Sequence, residues 1–468
     1  MPKRKRLSEG VSTERALKAI AKTGNVVPYQ STVVTVNQAR APSLKVVSTE
    51  YDVWSDIPVK DDTLDTVVTK YTPKETGTNP VVISVPKADE NLPDLSRSFL
   101  VFKVYATRTG NNGNLGADNA YFKNNVFHTI IKQIEITLNN TVVTLNSDNY
   151  HQESYVTTLL NHDKEEQETF LTCQGWSKDV YNHMNSRNAG ENTALPKRGV
   201  LTDKKRFMLI GFPICDLTKT DKLLPPGLKI DFKIYLNDPK LIFMASGADA
   251  ANTPTLVFDT PELHLARKIP SPELWEKLER RWTSSPWTIP LPHTKIKTYN
   301  LGTSTNIFQF DDLFNGEIPK TLAMWMVPVT ALNGDYQANQ YNYERHNLTS
   351  VEIKLNGKDF VDYAKTLTDE HLTSAYMNMK LQDGLPFASK KGPHISQEEF
   401  KQGYFILLFD LTRGRVGHLA VGQLPRTGNL AVYLKFHGNL TNAVQLFVMG
   451  TFDRILEIDH LGNVTYPM

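Results

Sequence analysis

Hydrophobic and polar residues alternate along much of this chain. The clearest case is Leu228-Lys229-Ile230-Asp231-Phe232-Lys233-Ile234-Tyr235-Leu236, where an apolar side chain occupies every second position. Period two puts those side chains on one face of a strand and the residues between them on the other. Val81–Val85 and Phe99–Tyr105 are runs rich in β-branched and aromatic residues and read as further strands. Pro225-Pro226-Gly227 and Gly110-Asn111-Asn112-Gly113 break the pattern with turn formers. Helical periodicity is sparse. Pro272–Trp282 predicts one helix, with Ser271 as N-cap, Pro272 at the first helical position and Glu273 at the positive end of the dipole. Its Trp275, Leu278 and Trp282 form one apolar stripe. Other helices are expected over Ser154–Phe170, after Thr368 and, marginally, over Thr13–Lys22.

The pattern also repeats. Gln133–Asn140 resembles Ser350–Gly357: each is an alternating strand ending in an Asn turn. Asp216-Leu217-Thr218 and Asp410-Leu411-Thr412 both close an apolar run, and Leu224-Pro225 and Leu424-Pro425 both precede an alternating strand. The three matches keep their order at a spacing of about 200 residues, far beyond the period of a solenoid and suited to a duplicated domain. The expectation is an all-β chain of two tandem sandwiches with a few short helices. Residues 1–44 form a basic arm, 45–268 the first sandwich, 269–286 a linker with a short helix, and 287–468 the second sandwich.

Composition narrows this picture. With 468 residues there is room for two domains, and 40% hydrophobic and 22% charged residues are ordinary for a globular chain. A net charge of +2 makes the body as a whole no polyanion binder. Two cysteines, Cys173 and Cys215, supply no disulfide framework, so the fold rests on burial. No apolar run is long enough to span a bilayer, and the charged N-terminus does not read as a secretory signal. The sequons at Asn139, Asn347, Asn439 and Asn463 are accordingly expected to be unmodified. Charge concentrates in Lys3, Arg4, Lys5 and Arg6, a run that suits nuclear targeting or contact with nucleic acid.

A family resemblance rests on Trp287-Thr288-Ile289-Pro290, Lys297-Thr298-Tyr299 and Asp311–Lys320. It continues through Leu332-Asn333-Gly334-Asp335-Tyr336, Asn339, Tyr341-Asn342-Tyr343, His346-Asn347-Leu348 and Asn356-Gly357. These residues resemble the second half of capsid proteins of Polinton (Maverick) and adintovirus-like elements, most strongly over 285–360. The resemblance implies a double jelly roll and a homotrimer of pseudo-sixfold outline. It further implies an icosahedral shell around double-stranded DNA, with penton and other minor capsid proteins as partners. A virion protein assembled in the host nucleus, touching packaged DNA through the basic arm, would follow from it. Tyr336, Tyr341 and Tyr343 are candidates for subunit contacts, since tyrosine offers area at low entropic cost.

Catalytic chemistry is hard to find. There is no nucleophile elbow, P-loop or Rossmann glycine pattern, and the twelve histidines show no paired-ligand spacing. His151-Gln152-Glu153 and Glu370-His371 have no second ligand pattern to join them, and no metal or other cofactor is expected. Cys215 is expected in an apolar strand as an inert buried thiol, Cys173 in a loop. Asp453, Glu457 and Asp459 read as strand-edge charges, and Lys204-Lys205-Arg206 and Arg280-Arg281 as solvated surface. The reading is a non-enzymatic structural protein without a small-molecule substrate. The alternative is a two-domain β-sandwich module that binds carbohydrate or protein without catalysis.

Overall fold

The structure is a computed structural model. It describes residues 62–466 apart from 76, 78, 88–90, 109–119, 145–147, 199–205, 246–253, 361–364, 382–392, 416 and 418–423. The expected basic arm, the helix over Thr13–Lys22 and the turn at Gly110–Gly113 lie outside the described residues.

Eight strands build a first sandwich: β1 (Thr63–Tyr71), β2 (Val81–Val85), β3 (Leu92–Arg108), β4 (Ile131–Leu138), β5 (Thr141–Val142), β6 (Arg206–Gly211), β7 (Ile230–Leu236) and β8 (Glu262–Pro270). One sheet runs β1-β8-β3-β6 and the other β2-β7-β4-β5, all neighbours antiparallel. Eight more build the second: β9 (Trp287–Leu301), β10 (Ile307–Phe310), β11 (Thr321–Pro328), β12 (Leu348–Leu355), β13 (Lys358–Asp359), β14 (Leu407–Asp410), β15 (Leu430–Phe436) and β16 (Val444–Ile458). Its sheets run β9-β16-β11-β14 and β10-β15-β12-β13. Adding eight to each strand of the first sandwich reproduces the second. This is the double jelly roll, with Pro254–Phe258 added beside β3 and Val464–Thr465 beside β16.

The duplication extends to backbone detail. The β4–β7 register slips between Ile131 and Gln133, and the β12–β15 register slips at the equivalent Leu348 and Ser350. Asn139 and Asn356 both end their strands with φ near +52°, a conformation Asn tolerates better than most residues. Each then ties its turn to the neighbouring strand's start. Asn139 Oδ1 accepts from Lys229 N (3.0 Å) and Asn356 Oδ1 from Asn429 N (2.8 Å). The Asp-Leu-Thr pair has diverged. Asp410 caps its own loop through Thr412 N (2.9 Å) and Gly417 N (2.8 Å), while Asp216 reaches the second sandwich.

Among the described residues three longer helices interrupt the strands: α1 (Tyr150–Asn161), α2 (Pro272–Ser284) and α3 (Leu372–Leu381). The helix expected over Ser154–Phe170 divides at His162, because Asp163 starts a new helix, Lys164–Glu168, with a capping box to Glu166. Ser271 Oγ caps α2 by accepting from Leu274 N (3.3 Å). The α2 stripe is half-buried, anchored where Trp282 Nε1 donates to Ile458 O (3.1 Å).

The two hydrophobic cores do not follow the two halves of the chain. Tyr155, Val156 and Leu159 of α1, with Trp176 and Met184, lie in the core of the second sandwich. Ile289 and Leu291 of β9, Leu456 and Ile458 of β16, and Tyr336 and Tyr466 lie in the core of the first.

Candidate functional site at the seam between the sandwiches

The helix α1 is the first half's main graft into the second. Gln152 sits in its first turn with no exposure. Its Oε1 accepts from Tyr343 Oη (2.9 Å) and Trp325 Nε1 (3.2 Å), and its Nε2 donates to Gln340 O (3.1 Å). One amide therefore satisfies two buried donors and one acceptor of the other sandwich. Next to it, Tyr341 stacks on Tyr155 with centroids 3.9 Å apart at 11°, and its hydroxyl meets Thr129 Oγ1 at 2.7 Å.

These positions correct the expectation for the tyrosine cluster. Tyr341 and Tyr343 have no exposed surface, and Tyr336 packs into the first sandwich's core. Most of their area is spent inside the chain, joining its halves.

Two charged stitches reinforce the joint. Asp179 and Arg198 form a fully buried bidentate pair (2.7 and 3.0 Å). Asn192 Nδ2 (2.8 Å) and, from the second half, Asn339 Nδ2 (3.2 Å) donate to the same carboxylate, and Tyr404 Oη donates to Asp179 O (2.7 Å). The second stitch centres on Asp216. Its Oδ2 pairs with His293 Nδ1 (2.6 Å) and accepts from Tyr466 Oη (3.0 Å), and its Oδ1 accepts from Thr294 N (3.3 Å). Lys219 Nζ bridges Glu153 Oε1 (2.9 Å) and Thr294 Oγ1 (3.0 Å).

Lys123 is a third link of a different kind. It has no exposed surface, and its ammonium donates to Lys240 O (3.0 Å) and Asp335 O (3.1 Å), one carbonyl from each half. Burial pulls its pKa down to about 7, against a smaller opposing pull from Asp335.

Chemically the seam holds groups in place. Asp216–His293 has the outline of a base with its orienting carboxylate, yet His293 Nε2 is sealed from solvent with no partner. The nearest thiol, Cys215, lies in a turn past the end of β6 and not in a strand as expected; burial pushes its pKa up to about 11. His151 of the His-Gln-Glu run is buried and held near pKa 4 by burial, with the nearby Lys123 adding to the effect. Glu153 of that run is taken by Lys219, and His371 Nδ1 by Thr368 Oγ1 (2.7 Å). Cys173 falls on an exposed 3-10 turn, Phe170–Gln174. Asp453 pairs with Lys320 (2.7 Å) on β16, as rim charges do. Among the described residues no cluster of three or more His, Cys, Asp or Glu could hold a metal, and no helix is long and apolar enough to cross a membrane. Lys3, Arg4, Lys5 and Arg6 lie outside the described residues. Sequence reasoning missed Gln152, Lys123 and Arg198, whose roles depend on partners roughly 20 to 210 residues away in the chain.

No family model matches the chain. A curated relative, an uncharacterised protein of Caenorhabditis elegans, is 20% identical over 353 residues, which is 73% of this chain and 80% of its own. Among solved structures, a chain of the Sputnik virophage superposes with a TM-score of 0.63 at 14% identity, covering 92% of this chain and 94% of its own. The Faustovirus major capsid protein gives 0.56 at 8%, and the mavirus major capsid protein 0.53 at 13%; each pairing covers 95% of this chain and 97% of the other. At these identities the likeness establishes the fold.

Proposed function

We propose that this chain is a viral major capsid protein, a tile whose two sandwiches are welded into one rigid body. The observation that carries the reading is the matched pair of eight-strand jelly rolls, shared over nearly the full length with the capsid proteins of mavirus and Faustovirus. A shell subunit must transmit load between its contacts without hinging. A seam of buried hydrogen bonds and exchanged core residues supplies that stiffness. The role is structural and non-catalytic.

In the finer reading, three copies form a capsomer in which six jelly rolls give a pseudo-hexagonal outline. Capsomers tile an icosahedral shell around double-stranded DNA, with minor capsid proteins at the vertices. The lineage is that of Polinton and adintovirus-like elements, supported by the Asp311–Lys320 and Leu332–Asn347 stretches. Lys3, Arg4, Lys5 and Arg6 then serve nuclear entry or contact with the genome. Mass photometry and negative-stain microscopy of the purified full chain test the assignment. Trimers with a hexagonal outline are expected. A strictly monomeric species from nanomolar to micromolar concentration, with no tendency to assemble, would overturn it.

A further inference from the structure

A groove of about 920 Å³ opens beside the seam, between the segment 181–186 of the first half and the loops that follow β11, precede β14 and join β15 to β16. Its volume lies within the range of small-molecule sites. Its chemistry is specific. The lysine, arginine and glutamate side chains on its wall each have a partner: Arg345 with Asp369 (2.8 Å), Lys401 with Glu398 (3.4 Å), and Glu344 with Asn342 Nδ2 (2.8 Å); of its three histidines, His183 lies 3.7 Å from Glu191, and His346 and His437 complete the set. The side chains of Asn182, Asn347, Gln402, Asn439, Thr441 and Asn442 are exposed and make no hydrogen bond within the described structure. Each amide offers both donors and an acceptor. What faces an incoming molecule is thus a dense array of uncharged, two-way hydrogen-bonding groups, with Tyr181 and Leu440 as apolar wall.

The groove is also held in shape at a cost. His346 and Asn347 are successive non-glycine residues with φ of +51° and +58°. Such left-handed positions persist only where surrounding contacts enforce them, and they concentrate at functional sites. Here Asn347 O accepts from His437 N (3.0 Å), tying the strained pair to the opposite loop. Gly403 lines the groove with φ +90°, and a Cβ there would sit 2.6 Å from Met184 Sδ and 2.7 Å from Tyr181 O. No other residue type lets the two segments approach so closely.

We propose that this groove binds an uncharged oligosaccharide. Sugar hydroxyls are donors and acceptors at once and pair with amides without needing charge, whereas phosphate, sulfate or nucleic acid is held best by lysine or arginine free of acidic partners, and here Arg345 and Lys401 are both ion-paired and the exposed Glu344 carboxylate repels an anion. The inference does not depend on the capsid reading, since it holds equally for a chain that stays monomeric.

The test uses the full chain on an array printed with uncharged oligomannose, galactosyl and N-acetylglucosamine oligomers beside sialylated and sulfated glycans, followed by titration calorimetry with the strongest free oligosaccharide. Binding to uncharged glycans with a dissociation constant below about 1 mM is expected, unchanged by raising the salt to about 0.5 M. The double variant Asn439→Ala/Asn442→Ala should bind at least tenfold more weakly at unchanged melting temperature. Asn347→Gly, which keeps the left-handed backbone available and removes only the amide, should do likewise. A glycoprotein probe before and after enzymatic removal of its glycans separates attached chains from free sugar as the natural source. Silence toward uncharged glycans, preference for anionic ones, or wild-type binding by both variants would overturn the proposal.

Discussion

Replacing Lys123 by methionine isolates what a buried ammonium costs at the seam. In the unfolded chain the lysine titrates at its ordinary 10.5, while in the folded chain burial holds it at about 7. Between those values the unfolded state carries a proton that the folded state has lost, so stability rises with pH. Below pH 7 both states are protonated and the full penalty stands; above 10.5 it is gone. At 1.36 kcal/mol per unit the whole swing amounts to about 5 kcal/mol. Methionine fills similar volume without charge, but it strands the carbonyls of Lys240 and Asp335, at about 1–3 kcal/mol each. At pH 7 these effects largely cancel, and the variant should differ from wild type by no more than about 2 kcal/mol. The pH slope does not cancel. Urea midpoints followed by tryptophan fluorescence on unassembled protein, from pH 7 to 9.5, should show wild type gaining about 3 kcal/mol relative to the variant. Every other titrating group drops out of that difference. Profiles that run parallel within about 0.5 kcal/mol would refute the reasoning, because they would mean that Lys123 titrates alike in both states.

Three other expectations follow from the same joint. Gln152→Ala leaves the Tyr343 hydroxyl and the Trp325 indole N–H without their acceptor and should cost about 2–4 kcal/mol, read as a fall in thermal midpoint. Arg198→Met isolates the buried Asp179 carboxylate and should cost about 3–5 kcal/mol; adding Asp179→Leu should recover much of the loss by removing the unpaired charge, as a double-mutant cycle would measure. A fragment of residues 62–270 should be insoluble or molten when produced alone, because the apolar face of α1 has its core partners in the other half; a sharp two-state unfolding transition from that fragment would contradict the exchanged cores.

Much of the fold was legible because it is periodic. The strand read from Leu228 begins at Ile230 in the structure, and the match near 133 falls on a strand equivalent to its counterpart near 350, whereas Asp216 lies in a turn past its strand while Asp410 ends one, and Leu224 is buried while Leu424 is exposed. The α2 helix was announced by Ser271, Pro272 and its stripe, and it runs two residues past Trp282. The seam was not legible. Gln152, Lys123 and Asp179 are polar residues in stretches with ordinary surface composition, and only tertiary partners make them interior. The tyrosines misled for a related reason: their amphipathic rings suit an interface between chains, but the interface they serve lies within one.

The exchange of core residues sets a schedule for synthesis. The first sandwich cannot close when its last strand leaves the ribosome, because Leu456, Ile458 and Tyr466, which complete its interior, are still to be made. At 5–20 residues per second that delay is roughly 10–40 s, during which the nascent α1 exposes an apolar face. The chain should therefore rely on chaperones during translation more than a two-domain protein of independent modules would, and a stall within the second half would leave a product fit only for degradation.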